Sequence, residues 1–181
     1  LLEGSSWKYQ LTTQGALIQG AATYTVVKVT KAGAETTAEG VRQLSLTYSG
    51  KEKYEATAAV TWRKAKDGVY ETVEGEGGEK QLLALPLKFG VDWNYGTTSL
   101  TFIDVETVEI GGKTYKNALR FRAYVDDKPG AAYFVKDVGM VSWSGRSLAV
   151  GCGRAIGFGL MAYLKTGAPA PTPAPSAVPP S

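Results

Sequence analysis

Apolar residues recur along this chain at every second position. Trp7, Tyr9 and Leu11 alternate with Lys8, Gln10 and Thr12. The same alternation runs through Leu44, Leu46 and Tyr48, through Tyr54, Ala56, Ala58, Val60 and Trp62, and through Ile156, Phe158, Leu160, Ala162 and Leu164. Tyr115, Asn117, Leu119, Phe121, Ala123 and Val125 share one parity, and Lys116, Arg120 and Arg122 take the other. Residues two apart in a strand lie on one face, so this spacing predicts antiparallel strands covered on one side and wet on the other. No window shows a helical face; Ala34 to Glu39 and Lys80 to Leu85 are expected to hold a helical turn at most.

Between Ile103–Val105 and Val108–Ile110 the apolar parity flips. A strand cannot change parity without an extra residue, which predicts a β-bulge near Glu106-Thr107. Asp67-Gly68 reads as a two-residue hairpin turn of the mirror-image type I′. Gly111-Gly112, Ser49-Gly50, Pro129-Gly130 and Ser144-Gly145 mark further turns, because glycine supplies positive φ and proline presets the first turn position. Hairpins at this spacing predict an all-β meander of about nine or ten strands. The β-sheet domain is expected over residues 1–166. Residues 167–181, GAPAPTPAPSAVPPS, form a Pro/Ala-rich segment that cannot bury a core and is expected to be a linker or a disordered tail.

Composition narrows the chemistry. There is no histidine in 181 residues, which removes Ser-His-Asp and Cys-His catalysis and most zinc, copper and haem sites. The net charge is +3, and no basic run is denser than Arg63-Lys64-Ala65-Lys66, so no nucleic-acid partner is expected. One cysteine, Cys152, cannot form an intrachain disulfide. Leu148 to Leu164 is shorter than the roughly 20 apolar residues a spanning helix needs, and it holds Arg154 near its middle. It reads as a buried strand with a glycine loop, and no membrane span is expected. Ser147 to Cys152 has only a superficial likeness to a lipoprotein cleavage box. The chain opens at Leu1-Leu2-Glu3 without methionine, as expected of a product whose export signal has been removed or of a trimmed chain.

Four segments carry a resemblance. Gly4-Ser5-Ser6-Trp7-Lys8-Tyr9 is similar to an opening G-x-x-W-x-Y strand, and Leu85 to Tyr95 to an internal L-P-L-x-x-G-x-x-W-x-Y segment. Val108 to Leu119 is similar to a V-x-x-x-x-G-x-Y-x-N-A/C-L hairpin, and Ala132 to Val141 to a Y-Y/F-x-x-x-V-G-L/M-V strand pair. In this order they resemble a widespread group of uncharacterised bacterial exported and lipoprotein-like β-domains. The resemblance covers most of Gly4 to Leu164 and implies a strongly curved antiparallel sheet, a half-barrel or open barrel shaped like lipoprotein-carrier proteins. It implies an extracytoplasmic location and no agreed activity.

On a curved sheet, Trp7, Tyr9, Trp62, Trp93, Tyr95 and Phe121 are the candidate ligand-binding residues of the concave apolar face. The function expected is a non-enzymatic exported binding or scaffold domain holding a lipid-like ligand or a partner protein, with no cofactor and with peripheral or tethered membrane association compatible. The alternative is a carbohydrate-binding module of a larger secreted protein, with Trp143 as its exposed surface platform beside Ser144-Gly145. A carboxylate-based hydrolase would need Asp104 and Glu106, which share a parity about 7 Å apart but are expected to be a solvated outward pair. No catalytic or metal residues are assigned. Asp126-Asp127 offers too few oxygens for Ca²⁺, the acidic stretch Glu74 to Glu79 lacks the lysine of a phosphate loop and reads as a mobile hairpin loop, and Lys136 and Cys152 have no activating partner in sequence. Asn117, on the apolar parity, is expected to be hydrogen-bonded if buried.

Overall fold

The computed structural model describes residues 1–13, 18–48, 52–125, 128–146 and 155–164. Among these the chain is all-β, in twelve strands: β1 (Ser6–Thr13), β2 (Ile18–Ala32), β3 (Glu35–Tyr48), β4 (Glu52–Lys64), β5 (Gly68–Val73), β6 (Lys80–Ala84), β7 (Asp92–Tyr95), β8 (Thr98–Ile110), β9 (Lys113–Val125), β10 (Lys128–Val135), β11 (Gly139–Arg146) and β12 (Ala155–Leu164). Glu35 to Glu39 belong to β3 and Lys80 to Ala84 form β6 rather than helical turns, and β6 accounts for part of the excess over nine or ten strands. No helix among the described residues is long and apolar enough to cross a membrane.

The ladder runs β6-β5-β4-β3-β2-β1-β12-β11-β10-β9-β8-β7. Each half is thus a six-stranded antiparallel meander curled into a half-barrel, and the first and last strands join the halves, from Ser6 opposite Leu164 to Thr13 opposite Ile156. The sheet's two edges are β6 and β7, which are consecutive in sequence. The connection between them contains a cis Leu85–Pro86 peptide and exposes Phe89, at 73%.

Bulges supply the curvature. Pairing passes from Glu106 opposite Ala118 to Val108 opposite Tyr115, so Lys116 and Asn117 together face Thr107. The predicted bulge is therefore in place, with its extra residue on β9 rather than β8. Asn117 is exposed there at φ 55°, a left-handed backbone that asparagine tolerates better than most residues, and so it is not a core residue. A second irregularity leaves Ile103 without an opposite partner between Phe102 and Asp104. Val27 on β2 is skipped in the same way and is exposed.

Several turn expectations are corrected. Gly68 opens β5 without a positive φ, and Ala65 N–H donates to Gly68 C=O, so that hairpin has a three-residue connection instead of a type I′ Asp67-Gly68 turn. Pro129-Gly130 and Ser144-Gly145 lie inside β10 and β11. Gly111-Gly112 does form the two-residue turn, both glycines having positive φ. Ser49-Gly50, Asp126-Asp127, Cys152 and residues 167–181 lie outside the described residues.

The core sits in three clusters on the concave side. Trp7, Tyr9, Val26, Val60, Trp62 and Val141 form one, Leu11, Ile18, Leu44 and Leu46 a second, and Leu100, Phe121, Ala132, Phe134 and Trp143 a third. Gly40 lets the first close up: a Cβ there would stand 2.3 Å from Thr25 C=O and 2.7 Å from the Trp62 ring.

Candidate functional site

The first and third clusters do not meet solidly. Between them lies a cavity of about 710 Å³ with a mostly apolar wall. Trp7, Tyr9, Tyr24 and Trp62 form one side, and Leu82, Leu83, Leu119, Phe134, Met140 and Trp143 much of the rest. At the mouth, Leu1 and Leu2 are about half exposed, beside exposed Lys64 and Lys136. This volume is in the range of small-molecule sites, which are typically apolar clefts with a few fixed polar groups.

Aromatic contacts hold the wall. Trp7 and Trp62 have ring centroids 6.2 Å apart, Tyr24 and Trp62 6.2 Å, and Tyr9 and Tyr24 meet edge-to-face at 5.8 Å. Trp7 Nε1–H donates to Val138 C=O at 2.6 Å, and Tyr9 Oη–H donates to Met140 C=O at 3.0 Å. These bonds run from β1 to the β10–β11 hairpin and so tie the two halves together across the interior.

A buried polar group interrupts the apolar surface. The Glu71 carboxylate, on a side chain 8% exposed, accepts from Trp62 Nε1–H at 3.0 Å and from Tyr95 Oη–H at 2.6 Å. Burial pushes its carboxyl above the usual carboxylate value, and these two donors and the Arg42 charge only partly counter that. Beside it, Glu76 sits 2.6 Å from Arg42 Nη1 and 3.5 Å from Lys80 Nζ. The Tyr24 hydroxyl lies near the Arg42 guanidinium, whose Nε and Nη1 have no hydrogen-bond partner, so Nη1 meets Glu76 as an ion pair. Burial raises the Tyr9, Tyr24 and Tyr95 hydroxyls, so all three stay protonated at neutral pH.

Of the six concave-face residues read from the sequence, Trp7, Tyr9, Trp62 and Tyr95 line this cavity. Trp93 and Phe121 do not. Phe121 is fully enclosed by the rings of Trp93, Phe102 and Phe134, and Trp93 borders a much smaller hollow near Pro86. The expectation of Trp143 as a surface platform is corrected: it is 4% exposed, stacks on Tyr95 at 5.9 Å and lines the cavity. Its neighbours Ser142 and Ser144 take the outward parity. Asp104 is exposed on β8, and Glu106 engages Arg120 at 3.9 Å and the Tyr133 hydroxyl, as a solvated outward pair would.

The sequence reading missed Glu71, Arg42, Glu76 and Lys80. Glu71 shares parity with Val69 and Val73, and Arg42 with Leu44 and Leu46. A charged residue on an apolar parity is the signal that could have found both. Glu76, in the stretch expected to be a loose acidic loop, instead turns inward onto Arg42.

No family model and no curated protein matches the sequence. Among solved structures, the fold is similar to that of a protein provisionally described as exported, with a YmcC-like fold, from Bacteroides fragilis NCTC 9343: TM-score 0.57 at 9% identity over 90% of this chain and 96% of that one. A protein provisionally described as a lipoprotein, from Parabacteroides distasonis ATCC 8503, aligns over 90% of this chain and 95% of its own at TM-score 0.46 and 11% identity. The first likeness establishes a shared curled all-β architecture.

Proposed function

We propose that this domain is a non-enzymatic carrier or scaffold that acts outside the cytoplasm and holds a lipid-like ligand in its cavity. The observation that carries this reading is the cavity itself. A sheet of this size could have closed its concave face with side chains, as the Phe121 cluster does. Instead about 710 Å³ stays open, walled by aromatic and leucine side chains and reached from a mouth bearing Leu1 and Leu2. Similarity to a protein described as exported supports the location. The solvated setting of Asp104 and Glu106 supports a role without catalysis.

Titration with an environment-sensitive apolar dye such as N-phenylnaphthylamine tests the reading. Saturable binding is expected, with energy transfer from tryptophan in the wall. Leu83→Trp, which fills the cavity, is expected to weaken that binding at least about ten-fold, the loss of roughly 1.4 kcal/mol of buried apolar contact. Absence of saturable binding, or equal binding by the filled variant, would overturn it.

A further inference from the structure

The cavity's two carboxylates, buried Glu71 and partly buried Glu76, differ in their company. Glu76 gathers both neighbouring cations, Arg42 and Lys80. Glu71 has neither within ion-pair distance; among the described residues its carboxylate meets only the neutral donors of Trp62 and Tyr95. Each carboxylate oxygen can accept about two hydrogen bonds, and each Glu71 oxygen takes one of these. Acceptor capacity and a formal negative charge therefore remain on the wall of an apolar space, where an unpaired charge is costly.

The surroundings favour a positive partner. Tyr24, Trp62, Tyr95 and Trp143 present aromatic surface to the same cavity, and ring faces attract cations. This wall already seats one ammonium, since Lys80 Nζ stands 5.9 Å from the Tyr95 ring centroid. A ligand carboxylate placed against Glu71 would meet a like charge, since Arg42 and Lys80 are engaged by Glu76, whereas a ligand ammonium would supply the counter-charge that Glu71 lacks.

Resting on the carrier reading above, we propose that Glu71 is the headgroup site for a single-chain amphiphile bearing a protonated amine, with the chain lying along Leu82, Leu83 and Met140. The ammonium donates to the Glu71 carboxylate while Trp62 and Tyr95 hold that carboxylate in place.

Displacement of the bound dye by dodecylamine, dodecanol and dodecanoate at submicellar concentrations tests this. The expected order of affinity is amine, then alcohol, then carboxylate. In Glu71→Gln the amine is expected to lose about ten-fold in affinity, the size of a charge-assisted bond, while the alcohol holds. Amine affinity that is unchanged in Glu71→Gln, or dodecanoate binding as tightly as dodecylamine, would overturn the assignment.

A pH series on the unmutated protein gives a second test that needs no variant. Arg42, Tyr24, Glu76, Tyr9, Tyr95 and Lys80, the last directly opposite on β6, are the titratable groups around Glu71. As Glu71 takes up its proton on acidification, amine affinity is expected to fall while alcohol affinity does not. A flat amine profile would contradict the proposal. If dodecanol and the dye also fail to bind, the carrier reading itself falls; if they bind and the amine gains nothing, only the Glu71 site does.

Discussion

At the scale of single residues, Glu71 matters most. Its carboxyl is pushed above the ordinary value chiefly by burial. A group that holds its proton more tightly folded than unfolded favours the folded state at low pH, and that contribution fades as pH rises through its folded value. Glu71→Gln has no such proton. The melting temperature of the unmutated protein is therefore expected to drop relative to the variant as pH climbs from the usual carboxylate range to neutrality. Thermal melts across that range check it, and parallel curves would contradict it. Little of this was legible beforehand. Glu71 stands on an apolar parity, but the partners that explain it are 9 and 24 residues away on other strands. Trp143 was misplaced for a different reason: Ser144-Gly145 has turn chemistry, while Ser142, Trp143 and Ser144 alternate as a strand does, and the ladder prevailed.

At the scale of elements, long strands have to bend. β2 spans 15 residues and β3 spans 14, and pairing through them without interruption would give a flatter sheet. The parity flip in β8 revealed one bulge from sequence alone. The extra residue was expected on β8, because the flip shows there while Tyr115 to Val125 of β9 keep one apolar parity in the sequence. Asn117 places it on β9 instead, through its positive φ. Asn117→Val places a β-branched side chain in that left-handed conformation and is expected to cost about 1–2 kcal/mol in urea unfolding, whereas Asn117→Gly should be near neutral. Equal stabilities for the two variants would remove the backbone explanation. The bulges at Asn117, Ile103 and Val27 interrupt a regular period, which is why strand existence was easier to read than strand count.

At the scale of the whole molecule, alternation predicted an all-β meander and the resemblance implied its curl, and both are there. The pairing of β1 with β12 was not legible, since no local pattern says that a meander's ends will meet. The opening between β6 and β7 follows from it: these consecutive strands are edges, held near each other without a shared ladder, while Glu71 on β5 bonds Tyr95 on β7 across the opening. A protease site placed at the exposed Lys88–Phe89 connection should cut the chain without separating its halves, because β1–β12 pairing and the Trp7 and Tyr9 bonds remain. Co-elution of both fragments on native size exclusion is the expected outcome, and two separate species would show that the connection, not the ladder, holds the halves.

The same closure sets how the domain bears load. Ser6 sits opposite Leu164, so the start of the first strand and the finish of the last leave the sheet side by side. Tension applied through those two points pulls across the strands, along the direction of the hydrogen bonds. It meets the pairs one after another, like a zip opened from its end, and does not have to shear the whole row at once.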